Sequence, residues 1–227
     1  MSDKRIPVVC DIETEPDTAW LEATETEFVA TIEPPANYKS PDAIKKWFRG
    51  ERDKRIEKAA LSSIDGRITA IAVAPLWDDS EPIALVNRVS ERTLITDFIV
   101  AVSSCTRCAP AILAGFNIGD FDLPFISARA AVHGVRLPSW WPDLTRRYGI
   151  CLDAYEILGR EGKLARWLAR FGLPAKTGEG SQCSVYSDEE LQGYVQNDVR
   201  VERLLLRRLA PVSSAIRETQ PELTPTP

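Results

Sequence analysis

The order in which strand-like and helix-like segments follow one another constrains the fold of this chain more than any other feature. A β-rich run over residues 6–12 opens the series and ends in acidic residues. The segments that continue it are a hairpin at 67–77 and 82–88, a helical pattern at 91–103, a short strand at 111–116 and a helical pattern at 123–133. Strands that alternate with helices in this way predict an α/β fold with a mixed sheet flanked by helices.

The remaining segments extend this sheet without requiring a second domain. A Ser-Pro start predicts a helix over about 41–60, and a long helix is predicted over 188–209. Residues 14–60 go beyond what a minimal sheet needs and are interpreted as a helical insertion, which is either a lid or a surface for a partner. The proline-rich residues 211–227 are expected to be disordered. We therefore predict one domain over residues 1–210, with the insertion inside it.

The composition excludes several kinds of catalytic site. With His133 as the single histidine among 227 residues, zinc sites with two histidines and acid–base schemes that pair histidines cannot form. A G-x-S-x-G nucleophile motif and the glycine-rich phosphate-binding motifs are absent as well. Cys105 and Cys108 lack the further cysteines or histidines that a zinc site needs, and a redox role for them is discounted. Hydrolytic chemistry is therefore expected to depend on carboxylates.

The sequence carries no pattern typical of a membrane or secreted protein. Its longest mainly apolar run, Ile68 to Trp77, is about half as long as the roughly 20 residues that a membrane-spanning helix needs. The first residues do not match a signal peptide, and the odd number of five cysteines indicates reduced thiols. A soluble, cytoplasmic protein that does not bind membranes is expected.

Two acidic residues at the end of the first predicted strand form the first candidate site. Asp11 and Glu13 are two residues apart on a strand, so their carboxylates project from the same face at the edge of the sheet. Hard oxygen ligands that converge in this way suit Mg²⁺ or Mn²⁺. A D-x-E sequence also arises by chance in a chain with 33 acidic residues, so this pair alone leaves both interpretations open.

Two further acidic clusters lie later in the chain. Residues 115–124 lie between a buried strand and a helix, where α/β sheets usually bind ligands, although Asp120 or Asp122 would also suit a helix N-cap. On the long C-terminal helix, Tyr194 and Asp198 are four residues apart and share an inward-turned face. Because a buried carboxylate is costly without a cation or strong donors, Asp198 is the most informative of these acids.

In this order the clusters resemble the exonuclease motifs of the DEDD superfamily, whose proofreading-type 3′–5′ exonucleases have a ribonuclease H-like fold. Asp11 and Glu13 match the first motif, D-x-E. The second motif, in the form that family B DNA polymerases use, is N-x-x-x-F-D. Asn117, Phe121 and Asp122 match it without a gap.

The third motif of the superfamily, Y-x-x-x-D, matches Tyr194 and Asp198 and is typical of the tyrosine branch, called DEDDy. The histidine branch would need a histidine at position 193, where this chain has Gly193. Over residues 6–209 the chain resembles stand-alone exonucleases related to the exonuclease domain of family B DNA polymerases. This resemblance implies a ribonuclease H-like mixed sheet flanked by helices.

The resemblance also implies a metal-dependent 3′–5′ exonuclease, an enzyme that hydrolyses phosphodiester bonds at single-stranded DNA ends and releases nucleoside 5′-monophosphates. It implies two divalent ions, Mg²⁺ or Mn²⁺, that activate the attacking water and stabilise the leaving 3′ oxygen. The implied metal ligands are Asp11, Glu13, Asp122 and Asp198. Tyr194 is expected to stay protonated and to orient the attacking water.

For other residues near the motifs, the position in the sequence predicts a role. The Phe-Asp register favours Asp122 over Asp120 as the metal ligand of the second motif, and Asp153 is expected to cap a helix or to touch the site from outside the ligand set. The candidate substrate contacts are Ile12, Asn117, Phe121 and Lys176. The two apolar ones among them would otherwise belong to the core.

The charge of the chain leaves several partners and functions open. A net charge of −5 argues against a broad basic surface for nucleic acid, but an enzyme that binds a few nucleotides through metals needs less positive charge. The basic helix between Lys45 and Lys58 either guides nucleic acid or is a solvated face.

The alternatives to a DNA exonuclease are a 3′–5′ exoribonuclease, a non-catalytic nucleic-acid-binding protein and a subunit docked on a polymerase. An active enzyme is favoured because all four acids and the tyrosine are present, and only the form of the second motif favours DNA.

Overall fold

The computed structural model of the protein describes residues 5–145, 151–178, 183 and 185–221. The strands within these residues are β1 (Ile6–Pro16), β2 (Gly66–Pro75), β3 (Ile83–Val86), β4 (Ala111–Gly115) and β5 (Leu152–Asp153). The helices are α1 (Thr18–Ala23), α2 (Glu25–Thr31), α3 (Pro41–Ala59), α4 (Glu91–Cys105), α5 (Asp122–Val132), α6 (Ala154–Ile157), α7 (Leu164–Phe171), α8 (Asp188–Leu209) and α9 (Ser214–Arg217). Among these described residues, no helix combines the length and the apolar character that crossing a membrane requires.

The strands form one mixed sheet in the order β3, β2, β1, β4, β5. β1 is parallel to β4, with Val9 opposite Ala114, and β4 is parallel to β5, with Gly115 opposite Asp153. β3 pairs antiparallel with β2, as the predicted hairpin requires. Because β1, β4 and β5 run in the same direction, their carboxyl ends meet at one edge of the sheet, where ligands of such sheets usually bind.

Side chains that alternate along β1 bury an apolar cluster on each face of the sheet. Val8 packs in one cluster with Phe98 of α4 and Ile126 of α5. Val9 packs in the other with Leu191 and further apolar side chains of α8. Helices therefore cover both faces, and the predicted α/β class, a mixed sheet flanked by helices, is confirmed.

The long helix α8 begins with a capping box. The Ser187 hydroxyl accepts the Glu190 N–H at 3.2 Å, and the Glu190 carboxylate accepts the Ser187 N–H at 2.8 Å. Leu191 and Leu205 are fully buried on the face of α8 that turns to the sheet. This face also directs Asp198 inward, which is what its spacing predicts.

The chain divides into two compact units. One unit consists of Met1–Glu13 and Ile68–Pro227 and contains the two apolar clusters around the sheet. The other unit, Thr14–Arg67, contains α1, α2 and α3, and α3 continues through Gly50 without a break. Residues 14–60, which the sequence predicts to be an insertion, lie in this second unit, and a single domain over residues 1–210 stays a prediction.

The C-terminal segment differs from its prediction of disorder over residues 211–227. Ser214–Arg217 form α9, and Ile216 is buried in the same cluster as the α8 side chains. The Trp77 indole N–H donates to the Thr219 hydroxyl at 2.9 Å, which ties this segment to the end of β2. The prediction is therefore wrong for residues 211–221, and its remaining part lies outside the described residues.

Candidate active site

Three carboxylates that are far apart in the sequence converge at the carboxyl edge of the parallel strands. One oxygen each of Asp11, Glu13 and Asp198 lies within 4.8 Å of the other two. β1 supplies the first two residues beyond its pairing with β4, and the inward face of α8 supplies the third, whose side chain is 0% exposed. The first and third acidic clusters of the sequence therefore meet in space.

Asp122 lies beside this group, at the first residue of α5. It is buried, and its Oδ1 accepts the Ile12 backbone N–H at 3.1 Å. Its oxygens are not among the three that lie within 4.8 Å of one another. Asp120, the competing acid of the second motif, is exposed and forms an ion pair with Arg160. The structure thus places Asp122, and not Asp120, next to β1.

Lys176 brings a positive charge to the site. Its Nζ lies 2.6 Å from Asp198 Oδ2 and 5.7 Å from the centroid of the Tyr194 ring. Burial alone would lower the pKa of Lys176, but the carboxylates of Asp11 and Asp198 outweigh burial and raise it, so the ammonium stays charged. Because this ammonium pairs with Asp198, the contact of Lys176 with a substrate phosphate stays a prediction.

Tyr194 is almost fully buried on the turn of α8 before Asp198. Burial raises the pKa of its hydroxyl, and the carboxylates of Asp198 and Glu13 raise it further. The hydroxyl therefore remains a proton donor. Burial also raises the pKa of Asp198, while Lys176 and the Tyr194 hydroxyl, as hydrogen-bond donors, oppose the rise.

The other carboxyl groups also have raised pKa values, chiefly because they are buried. Burial and then the neighbouring carboxylates raise the pKa of Asp11 well above its usual range. Burial raises the pKa of Glu13 to about 7, although a hydrogen bond from the Cys183 thiol opposes the rise. Burial likewise raises the pKa of Asp122 to about 8. Like charges this close are unfavourable unless a cation joins them.

Asp153 holds the loop between β4 and α5. Its Oδ1 accepts the Asn117 N–H at 2.9 Å, and its Oδ2 accepts the Gly119 N–H at 3.0 Å. The same carboxylate caps α6 by accepting the Tyr155 N–H at 2.8 Å. Asn117 has a φ of 63°, in the left-handed region that asparagine tolerates better than most residues. Asp153 therefore caps a helix, as predicted, and also fixes the loop that leads to Asp122.

The candidate substrate contacts occupy different environments. The Ile12 side chain is buried in the cluster between the sheet and α4 and α5, which is the core position that the sequence leaves open for it. Its contribution to the site is the backbone N–H that Asp122 accepts. Phe121 is partly buried, with its ring centroid 5.6 Å from that of Phe125. Contact of Ile12, Asn117 or Phe121 with a substrate stays a prediction.

Two buried side chains of this region belong to no motif. The Cys183 thiol donates to Glu13 Oε2 at 2.9 Å. Glu202 lies one turn after Asp198 on α8 and is 3% exposed. Its spacing of four residues from Asp198 is a signal in the sequence that identifies Glu202, because both residues then share a helical face. Cys183 follows a glycine-rich loop, and no pattern marks it.

The residues present suit a divalent metal ion. Asp11 Oδ2 is buried and has no hydrogen-bond partner within the part of the chain that the structure describes. The group formed by Asp11, Glu13 and Asp198 offers only carboxylate oxygens, the hard ligands that Mg²⁺ and Mn²⁺ prefer. A cation at this position would offset the repulsion among the acids. The cluster is therefore compatible with the divalent metals that exonuclease domains use.

Comparisons with known proteins identify the family of this chain and solved structures with a similar fold. Residues 43–160, just over half of the chain, match the family model for the exonuclease domain of DNA polymerase family B. The family B DNA polymerase from the hyperthermophilic archaeon Pyrobaculum calidifontis has a similar fold, with a TM-score of 0.59 and 18% identity over 90% of this chain and 24% of that chain. Phi29 DNA polymerase complexed with single-stranded DNA matches with a TM-score of 0.48 and 13% identity over 93% of this chain and 33% of that chain. Comparison with curated proteins gave no match.

The chain thus spans about a quarter and a third of the length of these two polymerases. The family match includes Asp122, whereas Asp11, Glu13 and Asp198 lie outside it, so their convergence is a separate observation from the structure. Because the family model covers more than half of the sequence, this chain belongs to the family of exonuclease domains of family B DNA polymerases.

Proposed function

We propose that this chain is a metal-dependent 3′–5′ exonuclease that hydrolyses phosphodiester bonds at the 3′ end of single-stranded DNA and releases nucleoside 5′-monophosphates. The observation that carries the proposal is the convergence of Asp11, Glu13 and Asp198 within 4.8 Å, beside the buried Asp122. Membership of an exonuclease domain family supports a hydrolase that binds nucleic acid. The exonuclease domain is proposed to span residues 1–210.

The proposed cofactors are two divalent ions, Mg²⁺ or Mn²⁺, held by Asp11, Glu13, Asp122 and Asp198. Such ions supply a nucleophilic water of lowered pKa and stabilise the negative charge that develops on the phosphate. The chain places the carboxylates before any ion arrives, because Asp122 is fixed by a backbone N–H and Asp198 is fixed by the Lys176 ammonium. This arrangement reduces the cost of organising the ligands when a metal binds.

Tyr194 is proposed to orient the attacking water, in the manner of the DEDDy branch. Its buried hydroxyl keeps its proton, because burial and two nearby carboxylates raise its pKa. A protonated hydroxyl donates a hydrogen bond and does not take the proton of the water. Tyr194 therefore acts as a positioning donor, and proton removal depends on the metal centre. The loop that contains Asn117 and Phe121 is proposed to contact the terminal nucleotide.

Degradation of a 5′-labelled DNA oligonucleotide, beside its RNA equivalent, tests the proposal with a matched pair of variants. Asp122→Asn changes a buried acid at the site, whereas Asp120→Asn changes an exposed acid two residues away in the same loop. With Mg²⁺ or Mn²⁺ we expect a ladder from the 3′ end of the DNA that disappears in EDTA. The rate should fall at least about a hundredfold in Asp122→Asn, since a lost ligand costs several kcal/mol, and stay near wild type in Asp120→Asn.

Each other outcome favours a different function. A ladder on RNA but not on DNA would make the chain an exoribonuclease. No ladder on either substrate, from folded protein that binds Mn²⁺, would favour a non-catalytic nucleic-acid-binding protein or a subunit docked on a polymerase. Equal losses in Asp122→Asn and Asp120→Asn would show that Asp122 has no special role.

A further inference from the structure

The outward face of α7 carries basic and aromatic side chains at helical spacing. Leu168 is fully buried in the apolar cluster that contains the α8 side chains, and it fixes the inner face of α7. Arg166 and Arg170 are exposed and four residues apart, so they are neighbours on the helix surface. Trp167 and Phe171 have the same spacing and are partly exposed. This face therefore presents two guanidinium groups beside two aromatic rings.

The Trp167 indole is held in one orientation by its surroundings. Its N–H donates to the Glu161 carbonyl oxygen. Its ring stacks on that of Phe171, with centroids 5.9 Å apart and planes inclined by 26°. A Cβ atom on Gly162 would be 3.3 Å from the indole nitrogen, so the loop before α7 lies against this edge. Because the ring is already ordered, a flat ligand that stacks on it pays little further conformational entropy.

A surface pocket of about 260 Å³ opens beside this indole. It is lined by Glu161, Gly162, Arg166, Trp167 and Arg170. An indole offers a stacking face, and guanidinium groups bind phosphate oxygens through paired N–H groups and also stack on flat rings. The acid among these described lining residues is Glu161, which is exposed to solvent. A nucleotide matches the pocket, because it combines a flat base with an anionic phosphate.

The charge of this segment is positive, although the chain as a whole is acidic. Residues 162–178 contain no acidic residue and four basic ones, namely Lys163, Arg166, Arg170 and Lys176. Arg166 and Arg170 form no ion pair with any residue that the structure describes. Two like charges at this helical spacing repel each other, and an anion that binds between them offsets the repulsion. The charge is therefore complementary to a phosphate backbone.

The chain leads from α7 directly into the candidate active site. α7 and the three converging carboxylates belong to the same compact unit. Lys176 follows Phe171 by five residues, and its ammonium lies 2.6 Å from Asp198 Oδ2. Five extended residues span at most about 18 Å, so the Cα atoms of Phe171 and Lys176 are no further apart than that. A strand whose 3′ end lies at the carboxylates therefore has its next nucleotides within reach of α7.

We propose that the outward face of α7 binds the single strand upstream of its 3′ end, with a base stacked on Trp167 and phosphates bound by Arg166 and Arg170. This inference rests on the function proposed above. It adds a contact surface that lies outside the three motifs and beyond the family match, which ends at residue 160. Stacking and phosphate contacts do not depend on the base sequence, and phosphate contacts weaken as the salt concentration rises.

Fluorescence anisotropy with a 5′-fluorescein-labelled oligo(dT) of about 16 nucleotides tests the stacking contact. The titration is made in EDTA at low salt, so that the strand is not cleaved and metal does not contribute. Trp167→Ala should weaken binding about tenfold, and Trp167→Phe should weaken it less, because an aromatic face remains. Trp20→Ala removes an exposed tryptophan of the other compact unit and should leave the affinity unchanged.

The salt dependence of the same titration tests the arginines. Each phosphate contact in a single strand contributes about 0.7 to the slope of log affinity against log salt concentration. Arg166→Gln and Arg170→Gln should therefore each make the slope less steep by about 0.7. Arg136→Gln removes an exposed arginine outside α7 and should keep the wild-type slope.

The outcomes separate failure of this inference from failure of the proposed function. Wild-type affinity and salt slope in the folded α7 variants would overturn the inference and favour a protein partner for this face, while a 3′ ladder from the wild type would keep the function. If Trp167→Ala does not fold, Trp167→Phe and the two arginine variants decide. A wild type that binds no oligo(dT) in EDTA but gives the ladder with Mn²⁺ would overturn the inference alone. A wild type that neither binds nor degrades the strand would overturn both.

Discussion

The Glu13 carboxylate is positioned by a buried thiol. Cys183 is itself almost fully buried, and its Sγ donates to Glu13 Oε2 at 2.9 Å. Burial raises the pKa of this thiol, and the carboxylates of Glu13 and Asp11 raise it further, so the proton that makes the hydrogen bond is retained. A thiol is a weak donor in water, but here it donates to a carboxylate in the interior, where an unmade hydrogen bond is costly.

Removing this thiol is expected to weaken metal binding. Cys183→Ala leaves Glu13 Oε2 without its donor and free to turn, so the affinity for Mn²⁺ should fall about tenfold, as it does when groups that orient metal ligands are lost. Cys183→Ser retains a donor and should retain most of the affinity. Calorimetric titration measures both, with Cys108→Ala as the control at an exposed thiol. Equal affinity in Cys183→Ala and wild type would show that the thiol does not position Glu13.

At the scale of residues, the sequence predicts which acids turn inward but not which partners they meet. The Phe-Asp register favours Asp122 over Asp120, and the structure brings Asp122 next to β1. Helical spacing predicts that Asp198 turns inward, and it lies on the buried face of α8. The ion pair of Lys176 with Asp198 depends on a loop conformation that no periodicity determines. The position of Glu202 depends on the missing side chain of Gly115, which only the packed structure reveals.

At the scale of elements, the loop after β4 depends on one carboxylate from β5. Asp153 accepts three backbone N–H groups, so Asp153→Ala would leave the N–H groups of Asn117 and Gly119 and the start of α6 without an acceptor. We expect the free energy of unfolding to fall by about 2–4 kcal/mol, because the lost hydrogen bonds go to a charged group. Asp153→Asn keeps one carbonyl oxygen and should lose less. Urea unfolding measures these differences.

A control variant on helix α6 tests whether the loss of stability in Asp153→Ala comes from the loop. Glu156 lies on α6, is half-exposed and pairs with Arg160 at 3.0 Å, so Glu156→Ala should change the free energy of unfolding by about 0.5 kcal/mol or less. If Asp153→Ala loses no more than Glu156→Ala, the loop is held by other contacts.

The sequence predicts best the long elements whose apolar residues repeat along one face. The predicted helix at 188–209 has the same bounds as α8. β5 has only two residues, too few for any periodicity to reveal it in the sequence. α1 and α2 are only six and seven residues long, and α2 buries none of its residues, so no apolar face marks it. α3 continues through Gly50 because a single glycine costs a helix only about 1 kcal/mol.

At the scale of the whole molecule, the order of strands and helices was enough to predict the class of the fold. The sequence also predicts a helical insertion at 14–60, and these residues lie in the compact unit Thr14–Arg67. The candidate site was predictable only in part. The motifs identify four of its acids, whereas the number of carboxyl groups close to Asp11 depends on strands and a helix that meet only in the folded chain.

The buried carboxyl groups of the site are expected to make the stability of the metal-free protein depend on pH. Burial raises the pKa of Glu13 to about 7 and of Asp122 to about 8, from values of about 4 in an unfolded chain. At pH values between the unfolded pKa of about 4 and the folded pKa of about 7 or 8, the folded protein holds protons that the unfolded chain releases. The stability that both groups contribute is therefore fully present below about pH 4 and is lost as the pH rises toward 8. In EDTA, the Tm should fall by several degrees from pH 5 to pH 8.

Metal binding is expected to reverse this trend, because a divalent ion binds the ionised carboxylates and competes with protons. At a Mn²⁺ concentration of about 100 times Kd, the gain is about 2.7 kcal/mol, which raises the Tm by roughly 5–10 °C for a chain of this size. The gain should be largest at pH 8 and smallest at pH 5. The double variant Glu13→Gln, Asp122→Asn should show a flatter Tm in EDTA and little response to Mn²⁺. A wild-type Tm that stays level or rises between pH 5 and pH 8 in EDTA would contradict the argument, since the buried acids would then ionise in the folded protein as easily as in water.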